Sequence, residues 1–188
     1  GKNVSLGENV IIGTHSFIGD GVSIADNVVI SDRVSIGKNS SILSGTVVGQ
    51  NGFGVETTDE GSTIGFPHLG GVIIGENVHI GSLNSIASGS LKPTIIEDHV
   101  RTDNLVHIAH NVFIGESTLL AASATLSGSV TIGKKSFLGV NCVVRQKVSI
   151  GDNVFIGMGS VVTKSIPDNK MVVGSPARVV RERLASDR

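Results

Sequence analysis

With 188 residues, 15 Lys plus Arg against 16 Asp plus Glu and a formal charge of −1, the chain is nearly neutral and of a length for one domain. That balance, with no Trp and no Tyr, excludes the basic, aromatic-laced surface that nucleic acids need, and no apolar run approaches the ~18 residues of a membrane span. Glycine reaches 25 and the only aromatics are six Phe, so the interior has to be narrow and filled by aliphatic and small side chains. The single Cys142 allows no internal disulfide, and a cytoplasmic protein is expected. The chain starts Gly-Lys-Asn, already inside a repeat, which leaves open whether a domain precedes Gly1.

From the N-terminus a period of six governs the chain, with aliphatic residues at Leu6, Ile12, Ile18, Ile24, Ile30, Ile36, Ile42 and Val48. Taking that residue as position one of a hexad, position two is mostly Gly or another small residue, and position five is small or β-branched, as at Val10, Ser16, Val22 and Val28. A helix would repeat near 3.6 and a half-buried strand at two. Six fits short β segments joined by tight bends, in which the small residue at position two lets the backbone turn and two inward residues per hexad fill a thin core. Three segments close a triangular coil, and about seven coils stacked at ~4.8 Å make a prism on the order of 35 Å long.

The rhythm breaks over about residues 50–73, which hold "NGFG" and "GFPHLGG", and resumes at Ile74, Ile80 and Ile86. It breaks again over about 87–95 at "SGSLKP", then runs from Ile96 to Val162 with Thr102 as a polar substitute. If each break replaces one hexad, the hexads beginning at Val48, Ile86, Ile108 and Leu126 share one face, and both excursions flank His110. Solenoids place function in such interruptions. Pro167, Asp168 and Asn169 signal a turn where the repeat stops. Pro176 is expected to begin a short C-terminal helix through about Leu184. The chain thus divides into a solenoid over 1–166 and a cap with helix over 167–188.

His110 stands at position three of its hexad, and three hexads on, at the same corner one coil later, is Gly128. Acyl transfer from a thioester needs a base for the acceptor's proton and a donor for the developing oxyanion. An imidazole suits the first role and a glycine N–H, unobstructed by a side chain, the second. Asp103 and Asn104, one hexad upstream, with Asn111 beside the base and Phe53 and His68 from the long excursion, are expected to shape an acceptor pocket. His15, His79 and His99 read as surface residues and Cys142 as packing. His107 and His110 as a zinc pair would need a third ligand, for which His79 is the nearest candidate and the spacing unsuitable, so no metal is expected.

Repeats such as "IGENVHIG", "VSIGDNVFIGMGSVV" and "VTIGKKSFLG" resemble the hexapeptide-repeat acyltransferases. The resemblance implies an all-β fold, a left-handed parallel β-helix. The hand comes from the resemblance alone, since crossovers are normally right-handed. "NGFG" and "DNLVHIAHN" resemble the acylglucosamine N-acyltransferases of lipid A synthesis, in which the "IAHN" histidine is the general base. "ATLSG" is similar to related acyltransferases whose Gly supplies an oxyanion-hole N–H. The resemblance therefore implies His110 as base, Gly128 as amide donor, and a homotrimer with active sites in the clefts between prisms. Lys147 stands where the lipid A enzymes have a second functional His, and their uridine-binding N-terminal domain is not in this chain.

The stretch "VVTKSIPDNKMVVGSPARVVRERL" is similar instead to nucleotide-sugar N-acetyltransferases and serine or sugar O-acetyltransferases. That implies acetyl-CoA as donor, with Lys164 or Arg178 near the CoA phosphates. The expected function is transfer of an acetyl or other acyl group from a CoA thioester to the amino group of a nucleotide-linked amino sugar, in lipopolysaccharide or surface polysaccharide synthesis. The alternatives are an acyl-carrier-protein-dependent N-acyltransferase of lipid A type, a sugar O-acetyltransferase, a zinc-dependent lyase on the same fold, and a non-catalytic solenoid. Charged corners argue against the last.

Overall fold

The computed structural model describes residues 1–184 and 186–187. Strands of mostly two or three residues stack in parallel into three sheets that wall a triangular solenoid. Leu6 pairs with Ile24 and Ile24 with Ile42, an 18-residue register. Across the first excursion Val48 pairs with Ile86, an offset of 38, and across the second Ile86 pairs with Ile108, an offset of 22. The excursions therefore add 20 (38 − 18) and 4 (22 − 18) residues to otherwise standard coils. Both leave from the sheet that carries Val47–Gln50, Ser85–Ala87, His107–Ile108 and Thr125–Leu126. The long one contains its own antiparallel hairpin of Val55–Thr57 with Thr63–Gly65. The solenoid is a left-handed β-helix. Two-residue strands are too short to build up the twist from which the right-handed crossover preference arises.

Positions five and one fill the core: Val22, Ile24, Val28, Ile30, Val34 and Ile36 are buried, and no Phe is among the core residues. Replacing a buried isoleucine empties one layer of a core only two residues deep per side. Ile108→Ala is expected to cost about 2–5 kcal/mol of stability, read as a lowered urea midpoint with the circular dichroism of the native state unchanged.

The corners differ from the sequence expectation. The turn falls at positions three and four, and position four takes a left-handed conformation, with φ near 60° at Asn9, His15, Asn27, Arg33 and Asn39. Asn is among the few residues that accept this region at little cost, which explains its recurrence there. Glycine at position two serves close approach instead. Asp32 lies at position three one coil after Thr14 and accepts the Thr14 N–H at 2.7 Å. A β-carbon on Gly13 would come within 2.5 Å of that Asp32 Oδ1. The same bond recurs at Lys2–Asp20, Glu8–Asp26, Glu76–Asp98 and Lys134–Asp152, so an Asp ladder ties the corners together.

The expected C-terminal helix is a strand. Lys170–Gly174 continues a sheet beside Phe155–Ile156, and after a turn at Pro176, Ala177–Glu182 returns antiparallel to it. The β-branched pair Val179–Val180 favours this, and the preceding strand offers an open edge for pairing. Lys170 pairs with Glu182, and the Arg183 guanidinium donates to the Lys135 carbonyl at 2.7 Å, which fastens the hairpin to the solenoid. Among the described residues no helix is long and apolar enough to cross a membrane.

Candidate active site

His110 and Gly128 follow directly on paired strands, with Ile108 beside Leu126. The ladder continues through Leu126–Val144 and Val144–Val162, so the corner column reads His110, Gly128, Gln146, Lys164. Before the second excursion the same column holds Ser88 and Gln50. The Ser129 N–H donates to the His110 carbonyl at 2.9 Å and holds the two corners in register. A β-carbon on Gly128 would come within 2.6 Å of His110 Nε2; only glycine leaves the ring room. The Gly128 N–H has no protein partner among the described residues. At several other corners an Asp one coil on takes that proton, but here the residue one coil on is Gln146, and no side chain takes it.

The protonation pattern of His110 is set by its neighbours. Asn111 Nδ2 donates to the Lys92 carbonyl at 3.0 Å, which turns Asn111 Oδ1 toward both Ser90 Oγ, at 2.8 Å, and His110 Nδ1, at 3.0 Å. An amide oxygen only accepts, so Nδ1 must carry the hydrogen. The lone pair is then on Nε2, the nitrogen that faces Gly128. Ser90 and Lys92 belong to the second excursion, which thereby fixes the tautomer of a ring three strands on in sequence. Hexad counting does not find these two residues, because a four-residue insertion has no register of its own.

His68 reaches the same place from the long excursion. Its ring stacks on Phe66 with centroids 5.3 Å apart and meets the edge of the His110 ring at 5.2 Å. It is 6% exposed, and among the described residues neither ring nitrogen has a hydrogen-bond partner. Burial, and next the neighbouring His110, pull its pKa below the usual 6.5. The unfolded chain therefore takes up a proton near pH 6.5 that the folded chain refuses until lower pH. Stability from this group is complete above pH 6.5 and declines as pH falls from there through the folded value. His68→Leu is expected to flatten that part of the profile, measured as urea midpoints between pH 8 and pH 5 for both proteins.

A cavity of ≈ 500 Å³ opens over the pair, with Gly52, Phe53, His107, His110, Gly128 and Gln146 among its lining. Phe53 stands at its rim, 89% exposed. Gln146 also lines a neighbouring cleft with Arg145, Lys147 and Lys164, none of which forms an ion pair among the described residues. Lys164 lies three strand spacings from His110, about 14 Å along the corner. The other expected residues are placed apart. Asp103 Oδ1 accepts from the Asn104 N–H, and Asn104 Oδ1 accepts from the Ser82 N–H, so both serve a neighbouring corner outside the cavity. Arg178 donates to its own Ala177 carbonyl in the terminal hairpin and lines neither cavity nor cleft. Among the described residues no three His, Cys, Asp or Glu converge as for a metal; His79, the third ligand a zinc site would have needed, lies on another sheet, bonded to Ser41 at 2.7 Å. Cys142 is buried, which pushes its thiol up to about 12.

The model of the bacterial transferase hexapeptide, six repeats, matches residues 15–50, and that of the hexapeptide repeat of succinyl-transferase matches residues 129–164. A UDP-3-O-acylglucosamine N-acyltransferase of Maricaulis maris is 49% identical over 148 residues, 79% of this chain and 43% of that protein. One from Saccharophagus degradans is 56% identical over 80 residues, 43% of this chain and 23% of that protein. The chain thus spans less than half the length of the curated relatives it matches. LpxA from Acinetobacter baumannii superposes with a TM-score of 0.80 at 24% identity, covering 96% of this chain and 70% of that one, which is a likeness of fold.

Proposed function

We propose that this chain, a hexapeptide-repeat solenoid resembling the acyltransferases of the lipid A pathway, transfers an acyl group from a pantetheine thioester to the amino group of a UDP-linked amino sugar. The observation that carries the reading is the His110–Gly128 pair: an imidazole whose free Nε2, set by Asn111, lies against Gly128, whose own N–H has no partner among the described residues. In the reaction, the acceptor nitrogen attacks the thioester carbonyl and His110 Nε2 takes its proton. The carbonyl oxygen becomes an oxyanion held by the Gly128 N–H, and the pantetheine thiolate leaves, taking up the proton from the imidazolium. Asn111, being an amide, orients the ring without adding a charge.

The donor reading departs from the acetyl-CoA expectation. That expectation rested on the likeness of the C-terminal stretch to acetyl-CoA-dependent transferases, with Lys164 or Arg178 near the CoA phosphates, and Arg178 is turned to its own backbone in a strand hairpin. Likeness to the UDP-3-O-acylglucosamine N-acyltransferases favours the alternative, a longer acyl chain delivered by acyl carrier protein. Arg145, Lys147 and Lys164 would take the phosphate of the pantetheine arm and the acidic face of its carrier, leaving the thioester to reach back past Gln146 to Gly128. We further place the enzyme as a homotrimer in the cytoplasm, with Phe53 and His68 on the acceptor side.

The test is thiol release from acyl carrier protein bearing acyl chains of several lengths and from acetyl-CoA, each with a panel of UDP-linked amino sugars and mass spectrometry of the product. Amide formation with a carrier-bound acyl chain is the expected result. Faster transfer from acetyl-CoA would restore the acetyltransferase reading, an ester product would move the chain to the O-acyltransferases, and no acyl product with any donor would sink acyl transfer altogether.

A further inference from the structure

The described residues concentrate their unpaired buried polar atoms beside the reaction centre. Gln50 Oε1 and both ring nitrogens of His68 are buried with no hydrogen-bond partner, whereas the large majority of buried side-chain polar atoms ordinarily have one. Their side chains are nonetheless firmly placed. Gln50 Nε2 donates to Ser85 Oγ at 2.7 Å, which commits the amide nitrogen and leaves the oxygen over. The His68 backbone N–H donates to Asn51 Oδ1 at 3.1 Å, and its ring is gripped between Phe66 and His110. Gln50 and Asn51 border both the catalytic cavity and a second one of ≈ 480 Å³, which His68 and Ser88 also line. The unpaired atoms therefore belong to the wall between two cavities. Over this wall lies the strap Asn51–Gly54. A β-carbon on Gly52 would stand 3.0 Å from His68 Nε2, and one on Gly54 2.7 Å from His68 Cε1, so the strap can lie down only because both residues are glycine.

We infer that this wall is a sugar-recognition site, in which the strap lifts and the hydroxyl groups of an acceptor's sugar ring bond Gln50 Oε1 and the His68 ring nitrogens. The three atoms define the ligand chemistry. Gln50 Oε1 only accepts, and a neutral imidazole offers one N–H and one lone pair. Neighbouring hydroxyls each donate and accept and satisfy all three. A phosphate diester or diphosphate, which at neutral pH only accepts, leaves Gln50 Oε1 and the imidazole lone pair bare, and an acyl chain leaves everything bare. The inference rests on the reading that the acceptor is a sugar nucleotide, and it gives His68 and Gln50 a part in choosing the sugar, separate from the proton transfer at His110.

The experiment is titration of the ¹⁵N-histidine-labelled protein with UDP-N-acetylglucosamine and, separately, with UMP, following the ring nitrogens of His68 by NMR without any thioester. The expected result is a saturable shift of His68 with the UDP-sugar and none with UMP, and a dissociation constant raised about tenfold in His68→Phe and in Gln50→Met. Phe keeps the stacked ring and Met the length, so both variants should remain folded, and circular dichroism checks this. A shift of His68 by UMP alone, binding that leaves His68 unmoved, unchanged affinity in both variants, or no binding at millimolar ligand each overturns the inference. Acyl transfer with an unmoved His68 would overturn the sugar site and leave the transferase reading standing; a shifted His68 without transfer would do the reverse.

Discussion

Alanine at position 110 is expected to lower acyl transfer about 10²–10⁴-fold, the range that one positioned base supplies, while the protein stays folded. The ring is only partly buried and contributes no side chain to the aliphatic core. What the backbone does there, the His110 carbonyl accepting from the Ser129 N–H, survives the substitution. The result should show mainly in kcat, because the imidazole acts on the proton as the bond forms and does little for ground-state binding. Thermal unfolding of both proteins checks that only chemistry has been lost. Transfer that persists in His110→Ala at wild-type rate would remove the base from this residue, though not the solenoid from beneath it.

The second large effect is expected at Gly128, where even one carbon is too much. A β-carbon there would sit 2.6 Å from His110 Nε2, closer than any non-bonded pair tolerates. Either the ring tilts away from Asn111, which misplaces the base, or the corner shifts, which misplaces the N–H. Loss of one such donor costs about 10²–10³-fold, and Gly128→Val should reach at least that. Gly128→Ala should fall between, with a distinctive sign: the His110–Asn111 bond is disturbed, so the His110 ring ¹⁵N shifts move in the free enzyme. Gly133→Ala makes the comparison, since its β-carbon meets Asp152 on another corner and should affect stability without touching the ring.

How much of this was legible beforehand varies from residue to residue. The period of six, the aliphatic core, the shared face of Val48, Ile86, Ile108 and Leu126 and the adjacency of His110 and Gly128 all follow from counting, because a solenoid converts sequence distance into spatial distance at a fixed rate. The same count leads on from Gly128 to Gln146 and Lys164, so the link between the cavity and the basic cleft was also present in the spacing. It misled at Asp103 and Asn104, whose hexad lies on a different corner and whose side chains are spent on local backbone bonds. It misled again at Pro176, where proline can open a helix or a turn, and the choice was made by the free edge of Lys170–Gly174 next to it.

The amino-acid sequence alone thus determined the solenoid, its excursions and the corner on which chemistry could sit, since each hexad carries its own inward and outward residues and needs no distant partner to declare them. Only the tertiary structure decided the state of the site: which nitrogen of His110 is free, that the Gly128 N–H is unpaired, and that His68 is buried beneath Asn51–Gly54. The tautomer of His110 and the burial of His68 depend on Lys92, Ser90 and Phe66 in insertions that follow no repeat. Their positions come from closure of loops onto the prism, where packing and hydrogen-bond geometry, rather than periodicity, set which atoms meet.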